Sequence, residues 1–362
     1  MHVRINTIHC LAAALAMTAA SAQAAPFAYF STYSGTVYVL DIATNTVVRS
    51  LPAGGGFAYA TAVTPDGTRA YVPSYFAGDI TVIDTATNTT STISGVPATL
   101  GIAFNPAGTL AYATNFGGYN TVSVLDTNPA DAAYNTVVAT IPIAGTNPNP
   151  NGVAVSPDGN RVYVANHDGN SVSVIDTNPA DAGTYNTVIA TIDVGANPVG
   201  LAVSPDGSKV YVGNSGSNGP GVVSVIAVDV SGTPSPTADS INVGDAPTAV
   251  AIDPAGRCVY VSNQNSASVA VIDVVSGSVA GTIPVGSGPV GIALTHDGRY
   301  AYVANRGDGT ASQIDTATAR VVATVTLDST TPGNADVAAV GKFITPENTD
   351  SVFANDFGIC GF

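Results

Sequence analysis

One turn recurs six times along this chain and one strand seven times, and that repetition constrains the fold more than any other feature. The turn is Ser-Pro-Asp-Gly or a close variant, at 64–67, 105–108, 156–159, 204–207, 253–256 and 295–298. Its glycines stand 41, 51, 48, 49 and 42 residues apart. The strand is centred on Tyr: Ala28-Tyr29-Phe30, Ala70-Tyr71-Val72, Ala111-Tyr112-Ala113, Val162-Tyr163-Val164, Val210-Tyr211-Val212, Val259-Tyr260-Val261 and Ala301-Tyr302-Val303. One full unit runs through 161–166, 171–176, 187–195 and 198–207, four strand-sized pieces. A period in the forties holding four strands is the pattern of a propeller blade. The sequence therefore predicts an all-β protein, a seven-bladed β-propeller of four-stranded antiparallel blades over residues 25–344.

Local chemistry agrees. In five of the six turns Pro takes the first central position, with His296 in its place in the sixth, and Gly in all six takes the place where φ must be positive. Asp41, Asp84, Asp126, Asp176, Asp273 and Asp315 end the third strand of their blades, placed to bind the backbone of the next hairpin. They read as a repeated structural acid. Strands such as 172–175 are uncharged on both faces, as sheets covered on both sides require. The strand ahead of each turn carries small residues at alternate positions: Gly152 and Ala154, Gly200 and Ala202, Ala249 and Ala251, Gly291 and Ala293. Blades crowd most near the axis, where this innermost strand belongs. The chain enters the first blade at its second strand, 28–30, so that blade lacks a turn of its own. Segment 336–340, Asp-Val-Ala-Ala-Val, is predicted to supply its inner strand and close the ring, which removes open edges. The composition fits: 38 Gly and 23 Pro, but a single Glu (Glu347) and only Lys209 and Lys342 as lysines, poor material for solvated helices.

The Tyr-Val-x-Asn of 163–166, the Val-x-Val-Ile-Asp of 172–176 and the Ser-Pro-Asp-Gly of 204–207 resemble the YVTN β-propeller repeat family, over residues 27–344. The resemblance implies a secreted or surface-layer propeller, akin to propeller domains of nitrous oxide reductase and amine dehydrogenases and more loosely to propeller lactonases. The chain departs from that pattern where Thr32 and Ser74 replace the Asn, and where Ala107 and Ala255 replace the turn Asp.

Residues 1–24 read as a cleaved signal peptide: Arg4, an apolar Ala-rich stretch, then Ala22-Gln23-Ala24 as the cleavage site. The expected address is periplasm, cell surface or medium, with 345–362 a C-terminal tail and no membrane span after cleavage. Removing the leader takes away Arg4 and no acid, so the net charge moves from -15 to -16. That charge argues against nucleic acid and anionic membranes as partners. Cys258 and Cys360 are the cysteines left after cleavage, in a compartment that favours oxidation. Cys258 opens a second strand directly after the turn 253–256, and the tail emerges on that same face. A Cys258–Cys360 disulfide is the expectation, with two free thiols as the alternative.

No cofactor is expected. His167 and His296 are the histidines beyond the leader, too few for a copper or zinc centre, and no Cys-x-x-Cys-His is present for haem. The candidates for calcium are Asp126, Asp131, Asp176 and Asp181 in two near-identical insertions, which equally read as hairpins with Asx turns. A propeller ligand site is built from loops joining second to third strands and outer strands to the next blade. Those loops carry Tyr33, Tyr75, Phe76, Phe116, Tyr119, His167, Asn214, Asn263, Gln264, Arg306 and Asp308. The shortage of His, Glu and Lys points to a non-catalytic binding or scaffold protein rather than an enzyme. Its expected partner is an extracellular or periplasmic protein, peptide or glycan, with the chain a monomer. The alternatives are a lactonase or other hydrolase using His167, Asp168 and Arg306, and a periplasmic partner of a redox enzyme.

Overall fold

The strands form where runs of Val, Ile, Thr and Tyr meet turn-forming residues at both ends. The computed structural model describes residues 26–216, 221–229, 232–327, 336–339, 341–345, 360 and 362. The leader, Val340 and most of the tail lie outside them.

Blade IV is representative: Pro150–Val155 lies innermost, followed outward by Arg161–Asn166, Ser171–Asp176 and Thr187–Asp193. Its antiparallel register sets Tyr163 opposite Val174 and Val174 opposite Ala190. Blades II (62–94), III (99–142), V (198–242), VI (247–284) and VII (289–326) repeat this order. In blade I, Phe27–Ser31, Thr36–Asp41 and Thr46–Pro52 form the outer three strands. Residues 336–339 and 341–345 take the fourth, innermost place. Thr32 bridges Val337 and Ala28 bridges Ile344, and Tyr29 N–H donates to Phe343 O at 2.9 Å. The seven four-stranded antiparallel blades thus close into a propeller with the C-terminal segment completing the first. The closing strand bulges: seven steps from Val337 to Ile344 oppose four from Thr32 to Ala28, whereas in blade V five oppose four. At the bulge, Lys342 O accepts from Val63 N–H of blade II at 2.8 Å.

The core is divided among the joints of the ring. Each of seven apolar clusters is built from two neighbouring blades, and one joins blade VII (Val290, Tyr302, Ala311) to blade I (Phe30, Leu40, Val337, Phe343). Small inner-strand residues are needed there, since a Cβ on Gly152 would strike the Val199 carbonyl of blade V. Tyr302 Oη donates across the closing joint to Asn45 Oδ1 at 2.8 Å.

The turns behave as their chemistry requires. Gly67, Gly159, Gly207 and Gly298 have φ of 72°, 75°, 74° and 70°. Where Ala107 and Ala255 stand for the turn Asp, the first turn residue supplies the acceptor. Asn105 Oδ1 takes Thr109 N–H at 2.9 Å, and Asp253 Oδ1 takes Cys258 N–H at 2.7 Å. The acids ending the third strands accept from their hairpins, as in Asp41 from Ala43 N–H at 2.8 Å and Asp315 from Thr318 N–H at 2.9 Å. Cys258 and Cys360 are joined by a disulfide, with Cα atoms 5.7 Å apart. Phe362 beyond it lies against Gly281 of the outer strand of blade VI. Among the described residues no helix is long and apolar enough to cross a membrane.

Candidate functional site

The last residue of each second strand is Asn in blades III to VII, and its side chain turns back into its own blade. Asn115 Nδ2 donates to Thr121 Oγ1 and Ser123 Oγ, both at 2.8 Å, and Asn166 Nδ2 to Ser171 and Ser173. Thr32 does the same work in blade I by accepting from Thr36 N–H at 3.0 Å, and Ser74 in blade II donates to Gly56 O at 2.8 Å.

The next residue along is held identically in every blade. Its backbone N–H donates to the carbonyl at the start of the inner strand of its own blade. The pairs are Tyr33 to Asp336 (2.9 Å), Tyr75 to Phe57 (3.2 Å), Phe116 to Ala98 (3.0 Å), His167 to Asn149 (3.0 Å), Ser215 to Asn197 (2.9 Å), Gln264 to Ala246 (2.9 Å) and Arg306 to Gly288 (3.0 Å). In six of these the acceptor residue is left-handed, with φ from 44° at Ala98 to 62° at Gly288. One repeat position thereby sets seven half-buried side chains around one end of the ring.

These seven are not alike. Blades I to IV contribute Tyr33, Tyr75, Phe116 and His167, whereas blades V to VII contribute Ser215, Gln264 and Arg306. The aromatic part is continuous. Phe57 stacks on Tyr33 at 4.2 Å between ring centroids and meets Tyr75 at 5.5 Å; Tyr75 meets Phe116 at 6.3 Å, and Phe116 meets His167 at 6.1 Å. Tyr59 stacks at 6.3 Å from Phe57, and Phe76, 72% exposed, stands 5.4 Å from it. Burial raises the Tyr33 and Tyr59 phenols above their ordinary pKa, so both stay neutral at pH 7. At one end of this arc the Arg306 guanidinium lies 4.5 Å from the Tyr33 ring centre, 3.8 Å from Asp336 Oδ1. At the other end His167 Nδ1 meets Asp168 Oδ1 at 2.5 Å, and Asn149 Nδ2 donates to Asp168 Oδ2 at 2.6 Å. The Asn149 amide and His167 hold the Asp168 carboxyl below the usual range. A carboxylate only accepts, so Nδ1 is the donor in this bond, and in a neutral ring Nε2 is then the acceptor.

Of the residues singled out from the sequence, the structure gathers Tyr33, Tyr75, Phe76, Phe116, His167 and Arg306 into one arc, with Gln264 at the equivalent position in blade VI. Tyr119 is exposed in the loop beyond Phe116, and Asp308 accepts from Ser287 N–H at 2.5 Å. Asn214 and Asn263 are placed differently from the reading that put them on the face: both are fully buried. Asn214 donates into its own blade, and Asn263 lies under Gly244. His167 and Asp168 are joined, but Arg306 sits at the far end of the arc. Phe57, Tyr59 and Ser215 were missed. Ser215 had a signal in the sequence, its register one place after the Asn; Phe57 and Tyr59 follow an irregular Gly54-Gly55-Gly56 run with no counterpart in other blades. The calcium candidates are engaged within their loops. Asn128 Nδ2 donates to Asp131 Oδ2 at 2.9 Å, its twin Asn178 to Asp181 at 3.1 Å, and Arg161 pairs with Asp176 at 2.6 Å. Among the described residues no group of three or more His, Cys, Asp or Glu is arranged to hold a metal ion.

The family described as "Lactonase, 7-bladed beta-propeller" matches the chain at residues 61–199, 101–246 and 182–281, overlapping segments that together span more than half of it. No curated protein matches in sequence. Among solved structures, a functionally unknown protein from Desulfotomaculum acetoxidans superposes with a TM-score of 0.69 at 17% identity, covering 87% of this chain and 99% of that one. Kuenenia stuttgartiensis hydrazine synthase gives 0.66 at 20% identity over 84% and 99%. The dihydro-heme d1 dehydrogenase NirN gives 0.59 at 17% over 85% of this chain and 64% of its own. At such identities these likenesses speak for the fold alone.

Proposed function

We infer that this chain, which belongs to the seven-bladed β-propeller lactonase family, acts as an exported binding protein that takes a protein, peptide or glycan on the face bearing the aromatic arc. The observation that carries this reading is the run of ring contacts from Arg306 through Tyr33, Phe57, Tyr75 and Phe116 to His167. Aromatic groups held at the mouth of a rigid ring offer large contact area at small entropic cost. The exposed Phe76 and Tyr119 extend that area into solvent. A disulfide between Cys258 and Cys360 supports an oxidising compartment, and with it an exported partner.

A second reading is hydrolysis of a small ester or lactone. It is favoured by the family match and by the His167–Asp168 pair, whose free Nε2 suits a general base. The two readings separate in one experiment. The protein is screened against peptide and glycan arrays and against a panel of lactones and esters, alongside Tyr75→Leu and His167→Ala. Binding lost in Tyr75→Leu with no turnover is the expected result. Turnover abolished by His167→Ala would replace the binding reading with the hydrolytic one.

A further inference from the structure

We propose that the arc seats a basic side chain, the guanidinium of an arginine carried by a partner peptide. This rests on the binding reading above and narrows its ligand to a cation.

Three observations carry it. First, the arc already holds such a group. Aromatic faces are electron-rich and attract cations lying over them, and Arg306 occupies that position on Tyr33 at 4.5 Å while its side chain stays 38% exposed. Tyr33, Phe57 and Tyr59 lie nearly parallel, with interplanar angles of 19° and 11°, and Phe76 stands edge-on to Phe57 at 66°. Parallel rings beside an upright one are surfaces on which a planar cation can lie, as Arg306 does on Tyr33.

Second, a carboxylate beside the arc has one oxygen with no donor of its own. Asp79 pairs with Ser74 across the turn that carries Tyr75 and Phe76, and it lies against Gly54 of the loop that carries Phe57. Its Oδ1 makes no hydrogen bond among the described residues and is covered, so its charge acts on a nearby cation through space and not by contact. Desolvation raises its pKa, the direction expected of an acid without a partner.

Third, the end of the ring with the arc is acidic in its own right, as the opposite end also is. The end with the arc carries Asp79, Asp168, Asp193, Asp245, Asp308 and Asp336. Arg306 is the one arginine or lysine among its described residues. Arg69, Arg161, Lys209, Arg257 and Arg299 follow the turns at the opposite end. Six carboxylates against one guanidinium at this end favour a cation near the rings over an anion. A neutral sugar would use the ring faces but gain nothing from the carboxylates.

The test is calorimetric titration at physiological salt with a Gly-Ser peptide bearing arginines, and with the same peptide carrying citrulline in their place. The arginine peptide is expected to bind about tenfold more tightly, and Tyr75→Leu to lose about that factor. Arg306→Gln vacates the seat on Tyr33 and is expected to tighten arginine binding about fivefold. Arg299→Gln removes the same charge from the opposite end and should leave affinity within about twofold. Thermal melts of each variant establish that it is folded. Equal binding of the two peptides, unchanged binding by Tyr75→Leu, or weaker binding by Arg306→Gln overturns the inference; the last is the signature of a carboxylate ligand. A neutral glycan or the citrulline peptide bound equally well, and lost in Tyr75→Leu, would remove the cation and leave the binding face standing. No binding of either peptide overturns the cation seat as well.

Discussion

Phe343→Ala tests the closure of the ring at its most loaded point. Phe343 is fully buried. Its ring lies 5.0 Å from that of Phe30 and packs into the cluster that joins blades VII and I. Truncating a buried Phe to Ala costs about 3–5 kcal/mol, the upper end where the site cannot collapse. Its strand is tied on one side to Phe27–Ser31 and at the bulge to Val63, so little relaxation is available. With an unfolding entropy of about 2.1 cal/mol/K per residue over roughly 300 ordered residues, the midpoint should fall by about 5–8 °C. The assay is differential scanning calorimetry, with Phe362→Ala as the comparison. Phe362 lies close by in sequence but is 51% exposed, and its loss should cost under about 1 kcal/mol. If Phe343→Ala melts within about 2 °C of the parent, or the two variants melt alike, the inner strand of blade I is not docked as described.

Gly152→Ala should destabilise by about 1–3 kcal/mol, because the new Cβ meets a backbone carbonyl of the next blade; Gly183→Ala, which meets nothing within 4 Å, should be neutral in the same urea titration. Reduction of the Cys258–Cys360 bond, which spans 102 residues, should cost about 4–5 kcal/mol by loop entropy. A thiol titration of the denatured, unreduced protein should read none free, and two free thiols would refute the bond. Hydrogen bonds from Thr87, Ser204 and Ser276 hold the Asp84, Asp206 and Asp273 carboxyls below their ordinary range. Their contribution is therefore fully present above the unfolded carboxylate pKa of about 3.9 and is lost as pH falls through the folded values. Melting temperature should drop on acidification in that window, and Asp206→Asn should make the drop shallower.

The repeat was legible because each element carries its own local instruction. Gly67 marks a positive φ, Asp41 marks a hairpin, and Gly152 marks a crowded joint, all without knowledge of the rest of the chain. The face was legible only in part. Tyr33, Tyr75, Phe116, His167 and Arg306 could be assigned to it by loop, yet their equivalence depends on a backbone bond to a residue at the start of the inner strand. That pairing spans 18 residues from Phe57 to Tyr75 and much of the chain from Tyr33 to Asp336. Asn214 and Asn263 were misplaced because polarity at a strand end suggests exposure, whereas the Asn214 amide is spent on Ser224 and Val222 of its own blade and Asn263 is packed under Gly244 with no side-chain hydrogen bond among the described residues. Phe57 and Tyr59 broke the repeat and so had no template. The closing segment was found from its small residues, but the bulge at Gly341 and Lys342 was not, although Gly341, with φ of 111°, is the residue a strand carries where it bulges.

Completing the first blade with the last strand also sets the order in which the molecule can be finished. Blades II to VII each draw on one continuous run of chain, so their hairpins need only local encounters. The bond from Phe27 N–H to Thr345 Oγ1 joins residues 318 positions apart, and contacts of such separation form late because chain entropy opposes them until their surroundings exist. Until segment 336–345 arrives, Phe27–Ser31 is an unpaired edge, a template for any strand of the right register. The nearest such strand at high concentration is the same segment of a second molecule. Exchange of this one element between chains would give reciprocal dimers with every joint filled, so the ring's seam is also the place where assembly of one molecule competes with entanglement of two.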